Sequence, residues 1–196
     1  MKELESDIMI RKLEIKEIGK LYRKHIKKDF PPIERPPCYV IKHNMKKGFK
    51  EGFIYVDEGK ELGYALNSIS EQAILISLFA VFDGNRGTGI GTTFLKELLE
   101  YNDNKATIVE VEKPEYAKTD EEKKICEKRI LFYEKVGFKI YKDIDYCLFG
   151  FPYYIMVYSK NAILSKEEII KQLKAIYSST LRERYRNMLD KVLQIK

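Results

Sequence analysis

Cysteine and histidine are scarce in this 196-residue chain, and their placement excludes several classes of protein. Cys38, Cys126 and Cys147 are odd in number and irregularly spaced, which fits neither a disulfide framework nor a CxxC zinc knuckle and points to a reducing, cytoplasmic setting. His25 and His43 pair neither with each other nor with a CxxC at ligand spacing, so no metal site is expected and both read as surface residues. Long apolar runs are missing as well. The longest, AILISLFAVF, falls far short of the roughly 18 residues a membrane-spanning helix needs, so it reads as a core strand and no membrane partner is expected. The opening MKELESDIMI is charged from its second residue and has no apolar h-region, so no export signal is expected. Internal repeats and low-complexity stretches do not occur.

What is present is an ordinary globular composition, 44% hydrophobic, long enough for one domain with a small appendage. The net charge of +6 sits mainly in the tail, because nine basic residues face four acidic ones from Lys160 onward. IMIRKLEI alternates with period 2 as a half-buried strand does, and KEIGKLYRKHIKKDF follows with helical spacing at Ile18, Leu21, Tyr22 and Ile26. PPIERPP then breaks regular structure. After an ambiguous stretch to Lys50, the segments GFIYVDEGK, ELGYALNSI and AILISLFAV read as antiparallel strands joined by short polar turns. A helix is expected from Thr92 to about Tyr101, with Phe94, Leu95, Leu98 and Leu99 as its apolar stripe. ATIVEVE reads as another strand. Thr119 and Glu122 form a capping-box pattern that opens a long helix closing at Gly137. FKIYKDIDYCLF and FPYYIMVY read as a closing strand pair, and Ser165 with Glu168 opens a basic helical tail. In that tail Tyr177, Leu181, Tyr185 and Leu189 recur every four residues, the mark of a helix packed on the core or across a dimer interface.

The segment VFDGNRGTGIGTTFL, residues 81–95, carries the clearest chemical signal. A strand that ends in a glycine-rich turn and feeds a helix brings bare amides and the positive end of a helix dipole to one point, which suits an anion. Glycine keeps side chains from holding a phosphate away and supplies positive φ. Arg86 adds a fixed charge beside it. Walker A is excluded because no Gly-Lys-Ser/Thr follows Gly89 or Gly91, and a Rossmann fingerprint is excluded because Thr92 stands where its third glycine would be.

RGTGIG, Arg86 to Gly91, resembles the Arg/Gln-x-x-Gly-x-Gly/Ala signature of the GNAT acyltransferase family, and FYEKVGF, Phe132 to Phe138, is similar to that family's helix-to-strand segment. The resemblance implies an α/β (α+β) GNAT acyl-CoA N-acyltransferase fold, a central mixed, mostly antiparallel sheet flanked by helices. It would occupy residues 1–159, with 160–196 as a C-terminal basic helical extension packed on the core or a dimer partner. It further implies acetyl-CoA as cosubstrate, held by Arg86, Gly87, Gly89, Gly91 and Thr92, with Ala80 and Val81 pairing to the pantetheine arm. Acetyl would pass directly to a primary amine. Antibiotic, amino-acid, polyamine and protein amines all fit.

Tyr133 stands at the position of the family's general acid, since a phenol of pKa about 10 can donate to a departing thiolate. For the base, Glu110 and Glu112 lie on one face of a strand, and Glu112, nearer its end, is the better candidate, a water chain being the alternative. A main-chain amide near Val81 would polarise the carbonyl. Departures from the family pattern are Cys126 and Arg129, where Asn and Ala are frequent, and Asp83 in place of a frequent proline. Cys126 has no histidine near it in sequence and reads as inert. Two competing readings are a non-catalytic acyl-CoA-binding or sensing protein on the same fold, and a nucleic-acid or ribosome-associated module using the basic tail. The second is disfavoured because the tail's apolar stripe suits packing; a homodimer is compatible with the same stripe.

Overall fold

The computed structural model describes residues 9–161 and 164–195. Strands β1 to β8 belong to one sheet in the order β1-β2-β3-β4-β5-β7-β6-β8. β4 and β5 pair in parallel, whereas β1–β2, β5–β7, β6–β7 and β6–β8 pair antiparallel. Two compact units divide the described residues, the first running to Asn67 and including Ile76–Tyr101, the second comprising Ser68–Leu75 and the chain from Asn102 onward.

In the first unit, β1 (Met9–Lys12) precedes a helical stretch built from α1 (Ile18–Leu21), a π-helical turn (Tyr22–Ile26) and α2 (Lys27–Asp29). Only the first residue of the expected strand IMIRKLEI lies outside the described residues. The ambiguous stretch resolves into α3 (Cys38–Lys46), which begins directly after Pro37. Proline cannot continue a helix but is well placed ahead of one, so the same residues that read as a break also mark a start. β2 (Lys50–Asp57), β3 (Lys60–Ile69) and β4 (Ala73–Val81) follow as expected. Glu58 and Gly59, with φ of 45° and 74°, make the tight connection between β2 and β3, the positive-φ pair that two-residue hairpins favour.

These strands are buried on both faces. Ile54, Tyr64, Leu66, Leu78 and Ala80 join Ile18, Leu21, Ile26 and Ile41 in one cluster. Their alternating neighbours Phe53, Tyr55 and Ala65 join Phe94 and Leu98 of α4 (Ile90–Tyr101) in another. Two-sided burial explains why these strands read as nearly continuous apolar runs.

The second unit holds β5 (Ala106–Glu112), a 3-10 turn (Pro114–Tyr116), α5 (Asp120–Val136), β6 (Lys139–Leu148) and β7 (Phe151–Tyr158). Thr119 accepts a hydrogen bond from the Glu122 amide and caps α5. Ser165 and Glu168 form a full capping box ahead of α6 (Lys166–Thr180). Ile169, Leu173, Ile176 and Tyr177 of α6 are buried with Ala106 and Ile108 of β5, Ile144 and Tyr146 of β6, and Ile155 and Val157 of β7.

The expected helical tail is built from more than one piece. α6 stops at Leu181, which is extended at ψ 149°, and α7 (Glu183–Arg186) and α8 (Leu189–Val192) are single turns. The four-residue stripe still faces inward, since Leu181 and Leu189 pack on the cluster and Tyr185 meets the Phe149 ring edge-on at 5.3 Å. A short β8 (Leu193–Ile195), not evident in the sequence, pairs with the end of β6. Part of the tail's basic charge is taken up internally, Lys166 donating to the Asp143 carbonyl at 2.7 Å and Lys160 pairing with Asp103 at 2.7 Å.

Leu173 is fully buried, so Leu173→Ala is expected to destabilise the protein by about 2–5 kcal/mol in denaturant titration. Truncation after Lys160 should do at least as much. An unchanged unfolding midpoint in either variant would contradict the packing of α6.

Candidate functional site

In the first unit the end of β4 runs into Phe82 and the glycine turn, and α4 follows. Gly87 and Gly89 have φ of 82° and 91°, and a Cβ at either would meet nothing within 4 Å. The turn therefore needs glycine for its backbone and leaves open space beside it. Gly91 differs, being already inside α4. The Gly89 carbonyl accepts from the Thr92 amide at 2.9 Å and the Thr93 amide at 3.2 Å, while helix geometry turns the remaining first-turn amides out of the end. α4 carries no acidic residue in its first turn, whereas α5 places Asp120, Glu121 and Glu122 there. The positive end of α5 is thus compensated by its own carboxylates, and that of α4 is not.

Arg86 is held by hydrogen bonds beside this turn. Its Nε donates to the Val81 carbonyl at 3.2 Å and its Nη2 to Asp29 Oδ1 at 3.1 Å, with Asp83 3.5 Å away. Asp29 also accepts from the Tyr64 hydroxyl at 2.9 Å, and its side chain is only 7% exposed. Burial, with the Asp29 carboxylate beside it, pushes the Tyr64 phenol well above its ordinary value. Asp83 pairs with Lys28, a bond that holds its carboxyl below the usual range. Arg86, itself exposed, therefore ties the junction of β4 and the turn to Asp29, beside buried Ala80 and half-buried Val81. Lys28, Asp29 and Tyr64 carry no motif that could have marked them. The π-helical turn lies directly before Lys28 and Asp29, and π turns often accompany functional positions. His25, expected on the surface, is half-buried with its ring stacked on Phe82 at 4.0 Å, because the chain leaving β4 lands on the π turn.

In the second unit, Tyr133 is 8% exposed near the C-terminal end of α5. Gly137 takes the left-handed conformation at φ 103°, and the Phe138 amide reaches back to the Tyr133 carbonyl at 3.1 Å. This is a Schellman closure, with the Phe138 ring edge-on to Tyr133 at 5.2 Å as its apolar contact. The segment FYEKVGF thus has a local physical account: its glycine ends the helix and its last phenylalanine holds the tyrosine ring. Burial raises the Tyr133 phenol to about 12, with Arg129 lowering it and Glu112 raising it.

The two carboxylates of β5, expected on one face, engage different helices. Glu110 accepts from the hydroxyls of Tyr146 and of Tyr177, the latter at 2.6 Å, and so ties β5 to β6 and α6. Burial, followed by the Glu110 charge, raises both phenols well above their ordinary values. Glu112 instead pairs with Arg129 of α5. Cys126, Arg129 and Tyr133 follow one another at helical spacing and all sense Glu112 electrostatically. The Cys126 thiol is pushed up by burial, which suits an inert side chain. The expected residues thus fall into two sets, Ala80 to Thr92 in the first unit and Glu112 with Tyr133 in the second. Among the described residues no group of three or more His, Cys, Asp or Glu could hold a metal ion, and no helix is long and apolar enough to cross a membrane.

Residues 49–140 match the family profile of the acetyltransferase (GNAT) domain. A GNAT-family acetyltransferase from Bacteroides thetaiotaomicron superposes with a TM-score of 0.72 at 19% identity, covering 88% of this chain and 97% of its own. A plant protein from Arabidopsis thaliana, in complex with the bisubstrate analogue CoA-Ac-MVNAL, gives 0.57 at 16% identity, covering 78% and 99%. Spermidine N-acetyltransferase from Vibrio cholerae, a dodecamer, gives 0.56 at 12%, covering 78% and 93%. At these identities the likeness shows a shared fold. No curated protein matches the sequence. Residues 49–140 therefore resemble a GNAT acetyltransferase domain, and the chain takes the fold of that family, whose members use acetyl-CoA.

Gly89→Val puts a branched side chain at a left-handed position and into the open space of the turn. It is expected to lower stability by about 1–3 kcal/mol and to weaken acetyl-CoA binding at least tenfold by calorimetry, with the fold retained by circular dichroism. Undiminished affinity would remove the turn from the binding site.

Proposed function

We propose that this acetyltransferase moves an acetyl group from acetyl-CoA directly to a primary amine. The observation that carries the reading is the open glycine turn at the uncompensated N-terminus of α4, where bare amides and a helix dipole suit the coenzyme's diphosphate. Gly87, Gly89, Gly91 and Thr92 are the proposed diphosphate cradle. Arg86 acts there through the geometry it imposes on Val81, and Ala80 and Val81 offer backbone to the pantetheine arm. Residues 1–159 form the proposed catalytic domain, with 160–196 as an extension whose α6 closes the second unit's core.

Acetyl-CoA supplies an activated acetyl thioester. Tyr133 is the proposed general acid, because a phenol held at about 12 is fully protonated at neutral pH and keeps its hydrogen available for the departing sulfur. Glu112 is the proposed acceptor of the amine's proton, and an incoming amine must share or displace the Arg129 guanidinium to reach it. Glu110 is committed to Tyr146 and Tyr177, which leaves Glu112 as the better placed of the two carboxylates. The acceptor is identified only as an amine.

Acetyl-CoA at about 100 times its Kd is expected to stabilise the protein by about 2.7 kcal/mol in thermal melts, with ATP and NAD inert. No shift at millimolar acetyl-CoA would overturn the reading. Turnover separates an enzyme from a binding protein, and Tyr133→Phe is expected to lower kcat by about 10²-fold or more at little change in acetyl-CoA affinity. The raised phenol also sets a pH signature. The native state favours the protonated form, so this contribution to stability and activity persists below the ordinary phenol range and is lost as pH rises toward about 12. An alkaline fall in kcat near neutral pH that disappears in Tyr133→Phe would contradict the assignment.

A further inference from the structure

The Arg129–Glu112 pair invites a reading beyond local stability. Arg129 is 42% exposed and Glu112 is half-buried at 33%, and an isolated, partly exposed pair of that kind contributes little to folding. Its position is the informative part. Arg129 sits one helical turn before Tyr133 on the same face of α5, and its partner lies at the last position of β5. The charged groups acting on the Tyr133 phenol are these two, Arg129 from its own helix and Glu112 from the strand, and they act with opposite sign. The rest of the phenol's described ring contacts are apolar or aromatic, Phe132 at 5.1 Å and Phe138 at 5.2 Å.

A buried phenol is a reluctant acid. Held at about 12, it lies roughly three units above an ordinary thiol near 8.5, so passing its proton to a thiolate is uphill unless a positive charge stabilises the phenolate left behind. We propose that Arg129 is a positioning residue for the acetyl transfer: clamped by Glu112, its guanidinium supports the charge that Tyr133 acquires as it protonates the departing sulfur. In that step the amine nitrogen bonds to the acetyl carbon and the carbon–sulfur bond breaks, its electron pair remaining on sulfur. The Tyr133 proton goes to that sulfur, the proton lost by the amine goes to Glu112, and from there it is returned to the phenolate through solvent. Arg129 exchanges no proton and touches no reacting atom in this scheme. Glu112 sets where the guanidinium lies, and its own negative charge opposes the effect, so the pair tunes the phenol between two limits.

The inference rests on the reading of Tyr133 as proton donor, and the test separates the two. NMR of ring-labelled tyrosine, with Tyr133→Phe identifying the signal, follows the Tyr133 titration up to about pH 11.5 in the wild type, Arg129→Met, Arg129→Lys and Glu112→Gln. Arg129→Met is expected to move the titration to higher pH, Glu112→Gln to lower pH, and Arg129→Lys to leave it near the wild type. This readout needs no acceptor. Identical titrations in Arg129→Met and wild type overturn the inference, and if that variant fails to fold, an unshifted Glu112→Gln does so instead. CoA release with n-butylamine as probe should then slow about 10–100-fold in Arg129→Met, with KM for acetyl-CoA within about threefold and partial recovery in Arg129→Lys. A Tyr133→Phe variant that releases CoA at the wild-type rate would instead sink the proton-donor reading, whatever the titrations show.

Discussion

Burial of the central strands on both faces is the constraint from which the rest of the first unit follows. Phe53 and Tyr55 go to one side of β2 while Ile54 goes to the other, and β3 and β4 repeat the split with Ala65 against Tyr64 and Leu66, and Phe79 against Leu78 and Ala80. A strand with apolar side chains on both faces must be covered twice, so α1 to α3 are needed on one side and α4 on the other. Polar chemistry is thereby displaced to where strands end. The Asp29, Tyr64 and Arg86 network and the glycine turn occupy such an end, and every charged member of that network is answered by a partner.

The second unit solves a related problem with carboxylates. β5 is apolar through Val109 except for the buried Thr107, then places two glutamates within its last three residues. Glu110 is stabilised by two tyrosine hydroxyls, and one of those comes from α6. The extension is therefore joined to the strand by a polar contact as well as by the Ile169, Leu173 and Ile176 stripe. A half-buried carboxylate satisfied in this way is costly to uncover, because removal of either hydroxyl takes away a charge-assisted hydrogen bond. Glu112, at the last position of the strand, is half-buried and meets Arg129 of α5. The division of labour between two like residues two positions apart follows from where the apolar cover stops.

Much of this was legible in the linear chain because the signals were local. The capping patterns at Thr119 and Ser165, the left-handed glycine at Gly137 and the positive-φ glycines of the turn at 84–89 are each decided by residues within a few positions of one another. Strand ends at Asp57, Val81 and Glu112 likewise follow from short-range changes of pattern. The helical tail expected from Ser165 onward is interrupted at Leu181. Periodicity reports which side chains face inward, and Leu181 and Leu189 do pack inward, but it does not report whether the backbone between them stays hydrogen-bonded.

Tertiary structure alone decided the pairings. Asp29 under Arg86, two tyrosines around Glu110 and Arg129 across from Glu112 join residues 17 to 67 positions apart, and no propensity links such positions. Sequence by itself determined most of the helices and strands and the glycine turn, though not α3 or β8, because those choices depend on local sterics and on apolar spacing. Which carboxylate accepts from tyrosine hydroxyls and which pairs with an arginine depends on groups meeting across the fold, where burial and a partner's position outweigh anything a single segment encodes.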